Sequence, residues 1–462
     1  MGIGQSNQKS VRSSDACFGL ALLPSGWARN VRISMAGGII TDVEADVATL
    51  TSADHHKIAL PGMANLHSHA FQRGMSGLTE FRSSTEDSFW SWRDLLYKFV
   101  RSGDPADIEA ISAMAFCEML EGGFTRVAEF HYLHHGADGA PFSDPAEMSA
   151  RIVAAARTSG IGLTLLPVFY AHSDFGGAAP LNGQRRFTNT VDGFCALAAS
   201  AADHCRTLPD AVVGFAPHSL RATTPEQLTE LCRRLPGGPV HIHVAEQVKE
   251  VEASIAWSGA RPVEWLLANV DVNERWCLIH ATHTTPAERR AIAASGAVVG
   301  LCPVTEANLG DGIFELSDFI NAGGRFGVGS DSNVSISAAD ELRMLEYSQR
   351  LNVRRRNVLT SPHSHSTGRA LFERASRGGD QAVGVESGLR PGLSADFIVL
   401  DHFRDIDCAA DPDRILDHWV FGQARSKVSE VWRRGMRVVQ DGRHIHRETI
   451  EARFTRAMER FV

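Results

Sequence analysis

From Pro61 onward the chain alternates short apolar or β-branched runs with polar turns and helix-like segments. The strand-like runs read GMANLHSH, RVAEFHYL, GLTLLPVFY, VVGFAPHS, VHIHVAE, CLIHATH, AVVGLCP and RFGVGSD. Between and after them the pattern predicts helices over 105–122, 145–159, 191–206, 225–235, 262–268, 286–295 and 338–351. Several of these open GDPAD, SDPAE, TTPEQ or TTPAE, a capping oxygen followed by a proline that needs no amide donor. Eight β-then-α units predict an α/β fold, a (β/α)8 TIM-type barrel over residues 61–390. Strands buried on both faces read as near-continuous apolar runs of this kind. A doubly wound open sheet fits the same pattern and is the second reading.

The flanks have a different texture. Residues 1–60 contain ACFGLALLPSGWARNVRISMAGGIITDVEADV, with short alternating strands and Gly turns, and residues 391–462 contain SEVWRRGMRVVQDGRHI with the same character. Neither is long enough for a β-domain alone. Together they predict a small β-sandwich domain beside the barrel, with a helix at its C-terminal end. The run RRR at 354–356 reads as a solvated helix end.

Composition narrows the function classes. Of 462 residues, 44% are hydrophobic and 22% charged, as in a soluble globular protein, and the net charge of −8 points away from nucleic acid and anionic membranes. No apolar run is long enough for a transmembrane helix. The leader MGIGQSNQKSVRSS is polar, lacks the apolar core of a signal peptide, and resembles the myristoylation pattern only in its Gly2, so it reads as a disordered leader. Eight cysteines (17, 117, 195, 205, 232, 277, 302 and 408) are scattered singly, without a CxxC pair. A reducing cytoplasm is the expected location.

The barrel predicts that polar residues at the C-terminal strand ends converge on one mouth. The first run ends in His67 and His69, the fifth in His243 followed by Glu246, the sixth in His280 and the eighth in Asp331. Residues i and i+2 of a strand point the same way, so His67 and His69 can share the barrel axis. His67, His69, His243 and Asp331 form a nitrogen-and-oxygen donor set suited to Zn2+ or Fe2+. Any one of these histidines alone reads as a core residue; four donors on strand ends in one register do not. The His-x-His pair identifies nothing by itself, because roughly one is expected by chance in this composition. It recurs at His241 and His243, at His363 and His365, and at His444 and His446. His241 is expected one layer deeper in the barrel, the pair at 363 and 365 reads as a loop and helix cap just before a helix, with no strand to aim it, and the pair at 444 and 446 falls in the outer β-domain.

The segments PGMANLHSHAFQRGM, HIHVAE, LIHATH, GVGSDSNVS and LRPGLSADFIVLD together resemble the amidohydrolase superfamily over nearly the whole chain. In that superfamily, two-metal sites usually carry a modified Lys on the fourth strand. Here the fourth run has His218, and only Lys98 and Lys249 occur between Pro61 and Arg390. The resemblance therefore implies one divalent metal per chain, Zn2+ or Fe2+, on His67, His69, His243 and Asp331. It implies acid–base roles for His280 and Asp331, and a proton-shuttling role for Glu246. A bound metal would lower the pKa of water toward neutrality. Protonation by Glu246 would let nitrogen leave as ammonia. A homodimer is common among such relatives and is expected here.

Within the superfamily, HSHAFQR, SFWSWRDLLY, EFHYLHH, APHSLRA and CPVTEANLGDGIF resemble the formimidoylglutamate deiminases. That likeness implies a small substrate with a formimidoyl tip and two carboxylates, bound through Gln72, Arg93, Tyr132, His218 and Arg221. Arginine suits bidentate carboxylate recognition. Where other deaminase branches usually carry Asn, this chain has Glu306. His131, His134 and His135 read as loop polar residues. Two alternatives remain: another superfamily deaminase or chlorohydrolase acting on a purine, pterin or triazine, and a non-catalytic scaffold relative. A heteroaromatic substrate would favour stacking over paired arginines, and a scaffold would be expected to have lost ligands.

Overall fold

Eight parallel strand segments, each followed by a helix or turn, form a barrel in the computed structural model, which describes residues 13–51, 54–80, 89–360, 364–401, 411–422 and 428–461. In order they are Met63–Ser68, Phe124–His131, Gly162–Phe169, a fourth strand split into Val212–Val213 and Ala216–Pro217, then Val240–Val244, Trp276–His280, Val298–Leu301 and Arg325–Val328. The first four pair side by side and so do the last four. Bridges between Phe215 and Val240, Ser219 and His243, and Ser68 and Asp331 close the circle. Strands such as Phe124–His131 and Gly162–Phe169 are buried at every position, as expected with side chains on the axis and helices outside.

The helix signals work as the sequence predicts at three starts. Asp104 accepts from the amides of Ala106 and Asp107, Thr224 from Gln227, and Thr285 from Glu288, each just before a proline. SDPAE behaves differently. The helix there begins later, at Glu147–Ser159, because Asp144 turns its carboxylate to the amide of Ala146, to Ser200 and to His204. The fourth strand is also shorter than expected. It breaks at Gly214, where a Cβ would sit 2.2 Å from Pro239 O.

Both chain ends join one eight-stranded sheet. Its path runs from Arg443–His444 through Met436–Gln440, Val428–Arg433, Phe397–Leu400, Ile58–Pro61, Ser13–Leu23 and Gly26–Ala36 to Ile39–Glu44. The sheet has its own core, in which Phe18 meets Phe397 edge-on with ring centroids 5.6 Å apart. Only Gly62 separates its strand Ile58–Pro61 from the first barrel strand. A side chain at position 62 would lie 2.1 Å from Thr125 Oγ1, so the chain changes sheets at a residue without one. A buried ionic cluster ties the two parts together: Arg433 and Arg126 both bond Asp210, at 2.6 and 2.9 Å, and Arg433 also bonds Asp396.

The helix expected after the HSH copy at 363–365, Thr367–Val383, runs its C-terminal turn across the N-terminal end of the barrel. Thr164 Oγ1 donates to Val383 O at 2.8 Å, His241 Nε2 lies 2.8 Å from Ala382 O, and Gln381 Nε2 donates to Gly296 O. This places His241 in the layer beneath His243, as expected. The described residues therefore cover the barrel at this end, opposite the strand ends that carry His67, His243 and His280. No helix among the described residues is long and apolar enough to cross a membrane. Gly2, His363 and Cys408 lie outside the described residues.

Candidate active site

The first and eighth strands are locked in register at the open end. The His69 amide donates to Asp331 O at 2.9 Å, and the Asp331 amide donates to His67 O at 3.0 Å. A buried amide network holds the same region. Asn65 Nδ2 donates to Ser330 Oγ, Ser330 Oγ donates to Asn333 Oδ1, and Asn333 Nδ2 reaches Ser68 Oγ and the carbonyls of His69 and Asp331. Ala245, His280, Ala281, Asp331 and Asn333 all have φ between +46° and +66°. Left-handed backbone is costly for such residues and clusters at sites the surroundings over-determine. Here it turns each chain sharply out of its strand at the mouth.

Four of the expected donors meet there. Asp331 Oδ1 lies 3.5 Å from His67 Nε2 and 3.3 Å from His69 Nε2, and the Nε2 atoms of His67 and His243 are 3.0 Å apart. His69 Nδ1 is 2.9 Å from Phe130 O, and His243 Nδ1 is 3.1 Å from His218 O. A carbonyl can only accept, so both Nδ1 atoms carry the proton and both Nε2 atoms present bare lone pairs. Burial drives the His67 imidazole down to about 3 and also lowers His69 and His243, which keeps all three neutral. Burial acts to raise Asp331, but the histidines around it hold its carboxyl well below the ordinary range. The buried donors of His67, His69 and Asp331 lie close enough together to hold one divalent cation, and so do those of His67, His243 and His280.

His280 stands at the edge of this set, its Nε2 3.9 Å from Asp331 Oδ2 and 3.8 Å from Glu246 Oε1. Its Nδ1 is 3.2 Å from Glu306 Oε1, which also accepts from the Cys302 amide at 2.9 Å. Burial opposes charge on His280, but the carboxylates of Glu246, Glu306 and Asp331 outweigh it and hold the imidazolium up to about 10. Burial pushes the Glu246 carboxyl up to about 7, against the pull of His280 and Arg221. The turn carrying Glu246 is fixed from behind by Glu250, which accepts from the amides of Ala245 and Glu246 at 3.2 and 3.0 Å. A carboxyl that titrates near neutrality beside an imidazole can carry a proton either way.

The remaining expected residues line the same cavity: Gln72, Arg93, Tyr132, His218 and Arg221. Gln72 Nε2 donates to Tyr132 Oη at 2.8 Å. His218 packs edge-on to His243 and Tyr170, with centroids 4.9 and 4.7 Å away. Arg93, on helix Phe89–Phe99, lays its Cζ 4.5 Å from the Trp90 ring centroid, and Arg221 lies 5.9 Å from the same ring. The Nε atom of each guanidinium is buried and has no hydrogen-bond partner among the described residues. His131, His134 and His135 are buried away from the cavity lining, and the last two bond the carbonyls of Val168 and Thr188.

Several groups escaped the sequence reading. Asn65 and Asn333 hold the metal-side backbone, Glu250 holds the Glu246 turn, and Tyr97, Tyr170 and Phe187 complete the cavity wall. Glu250 had a local signal, a carboxylate four residues after Glu246 in the first turn of helix Val248–Ser258. Tyr170 directly follows the third strand, an end position of the kind that places the histidines. Tyr97 and Phe187 had none, since they arrive from a helix and a loop far apart in sequence.

The chain is similar to known proteins over nearly its whole length. A family model described as "Amidohydrolase family" matches residues 58–438, and one described as "Formimidoylglutamate deiminase HutF, N-terminal domain" matches residues 19–57. The formimidoylglutamate deiminase of Pseudomonas aeruginosa is 48% identical over 447 residues, covering 95% of this chain and 97% of its own. A 5-methylthioadenosine/S-adenosylhomocysteine deaminase of Halobacterium salinarum is 27% identical over 356 residues, 74% of this chain and 73% of its own. A crystal structure of an amidohydrolase from Brucella melitensis superposes with a TM-score of 0.93 at 54% identity, covering 97% of this chain and 100% of that one. An adenosine deaminase from Xanthomonas campestris with bound zinc gives a TM-score of 0.76 at 20% identity over 97% of each chain, a likeness in fold.

Proposed function

The chain belongs to the amidohydrolase family, and from that premise we infer that it hydrolyses N-formimidoyl-L-glutamate to N-formyl-L-glutamate and ammonia, a step of histidine degradation. The observation that carries this reading is the pair of guanidiniums, Arg93 and Arg221, each with a buried Nε that has no partner among the described residues, in one cavity with Glu246 and His280. A dicarboxylate with a small amidine tip matches two fixed cations and a proton-transfer pair better than a flat heterocycle does.

His67, His69, His243 and Asp331 are the residues we assign to a single divalent metal, with Zn2+ as the ion and Fe2+ as the other that fits the donors. When bound, the metal supplies nucleophilic hydroxide at neutral pH. Asp331, held ionised, takes up the proton released when water attacks the amidine carbon, and His280, an imidazolium between Asp331, Glu246 and Glu306, passes protons among these carboxylates. Glu246 delivers a proton to the nitrogen that departs, so the leaving group is ammonia instead of an amide anion. Arg93, Arg221, Gln72, Tyr132 and His218 hold the substrate so that its tip faces Glu246. The ring of neutral aromatic side chains keeps bulk water from the reacting carbon.

The same reading includes a cytoplasmic homodimer with barrel residues 61–390 and an outer domain of 1–60 and 391–462. Free thiols at all seven described cysteines suit a reducing compartment, and the sheet shared by both chain ends suits that division. The deciding measurement is ammonia release by metal-loaded protein from formimidoylglutamate, run beside guanine and adenine. Release from formimidoylglutamate alone is expected; release only from a heterocycle, or from nothing, would overturn the reading.

A further inference from the structure

The loop after the third barrel strand returns over the cavity through a short turn, Asn182–Gln184, and the Gln184 side chain is wholly buried there. Its amide orientation is set by the backbone, because the Leu181 N–H donates to Gln184 Oε1 at 2.8 Å. The amide nitrogen therefore faces the two phenols beside it. It donates to Tyr170 Oη at 2.8 Å and to Tyr97 Oη at 3.1 Å. An amide NH2 has two protons, and both are engaged. Each phenol oxygen is thus an acceptor toward Gln184, and each O–H proton must point elsewhere.

Both phenol oxygens lie within hydrogen-bond reach of one nitrogen, Gln184 Nε2, so one O–H proton at most can be shared between them. The second cannot, since a bridge needs only one donor. That proton is left to the cavity that both rings line. Arg93 Cζ lies 5.7 Å from the Tyr97 ring centroid, and Arg93 and Arg221 both act electrostatically on Tyr170. Burial pushes the Tyr170 hydroxyl above its ordinary value despite those guanidiniums, so it remains a donor. The arrangement is also held sterically. A Cβ on Gly183 would come within 3.0–3.2 Å of Tyr97, so the turn lies flat against that side chain and seats helix Phe89–Phe99 on the cavity.

We propose that Tyr97 and Tyr170, oriented by Gln184, complete a carboxylate subsite with Arg93 and Arg221 and thereby set the preference for a substrate with two carboxylates. This rests on the reaction assigned above. A neutral O–H beside two guanidiniums adds a directed donor without adding charge. A site built to hydrogen-bond a group rejects analogues that lack it more strongly than an apolar wall rejects a misfit. Gln184 is a positioning residue in this scheme, and the two tyrosines determine specificity.

The test uses the full-length, zinc-loaded protein with glutarate as a dicarboxylate probe and butyrate as its one-carboxylate counterpart, both measured by calorimetry. In the double variant Tyr97→Phe/Tyr170→Phe, glutarate binding should weaken at least tenfold while butyrate binding changes much less. KM for formimidoylglutamate should rise with kcat nearly unchanged. Gln184→Glu turns the amide donor into an acceptor that draws both O–H protons away from the cavity, and should reproduce the loss with zinc content and melting temperature preserved. Single Phe variants serve if the double variant is unstable. Glutarate binding within twofold of the unaltered protein, or equal loss for both probes, would overturn the proposal. If the unaltered protein binds glutarate yet releases no ammonia from formimidoylglutamate, the assigned reaction fails and the subsite stands.

Discussion

The Nε2 atoms of His67 and His243 lie 3.0 Å apart although 176 residues separate them in sequence. At least the His243 nitrogen is a bare lone pair, because its Nδ1 proton is committed to His218 O. Lone pairs held this close are stable only with a proton or a cation nearby, and burial pushes both rings away from protonation. A divalent ion should therefore be a large part of the stability of this end of the barrel. Removing it with a chelator should lower the melting temperature, and adding back Zn2+ should restore it. At free metal about a thousand times Kd the gain should be about 4 kcal/mol. A melting temperature unmoved by metal would rule out the ligand assignment.

Glu246→Gln separates proton transfer from metal binding. The amide keeps the shape of the side chain and leaves the Glu250 contacts to the Glu246 backbone in place. Loss of the proton carrier should reduce kcat by about 100- to 10,000-fold, the usual range for general acid–base catalysis. Metal content should stay at that of the unaltered protein. Loss of metal together with activity would make Glu246 a ligand and move the proton-transfer role elsewhere.

What could be read from the sequence depended on how local the cause was. His67 and His69 were legible because a period of two and an apolar strand decide where both point. His243, His280 and Asp331 followed from the same rule applied at other strand ends. Arg221 follows the fourth strand directly, whereas Arg93 owes its place to helix Phe89–Phe99 lying over the cavity, which no periodicity reveals. Asn65 and Asn333 look like ordinary polar residues until strands 265 positions apart are brought together. The start of helix Thr367–Val383 was legible after the HSH copy at 363–365, but its role as a plug was not, because that role is tertiary: its carbonyls meet His241 and Thr164.

Asp380 gives a pH dependence remote from the metal. Burial pushes its carboxyl up to about 6 from an ordinary 3.8, although Ser387 donates to it through both N–H and Oγ. A raised carboxyl means that the folded state holds the proton more tightly than the unfolded chain. The resulting stabilisation is fully present below the ordinary value and is lost as pH rises through about 6. Asp380→Asn removes this titration and keeps an acceptor for Ser387. The stability of the unaltered protein relative to the variant should be greater at pH 5 than at pH 7.5 by on the order of 1 kcal/mol. Urea unfolding of both proteins at the two pH values measures it; a difference that is constant or reversed in sign would refute the account.

Gly329 tests whether the register of the first and eighth strands matters to the site. A Cβ there would lie 2.7 Å from His67 O and 2.8 Å from His67 N. Both are backbone atoms, so no side-chain rotation relieves the clash. The strands must separate, and the bonds that cross between them are those from the His69 amide to Asp331 O and from the Asp331 amide to His67 O. Gly329→Ala should cost about 1–3 kcal/mol of stability, as overpacking usually does. The more specific consequence is for the metal, because the same displacement moves His67 and Asp331 apart. Metal affinity should fall along with stability, while the Arg93 and Arg221 side of the cavity stays as it was. Zinc competition with a chromophoric chelator, run beside glutarate binding at saturating zinc, distinguishes the two. Weaker zinc with unchanged glutarate binding is the expected result; unchanged zinc affinity in a destabilised variant would show that the strand register supports the fold without tuning the donor set.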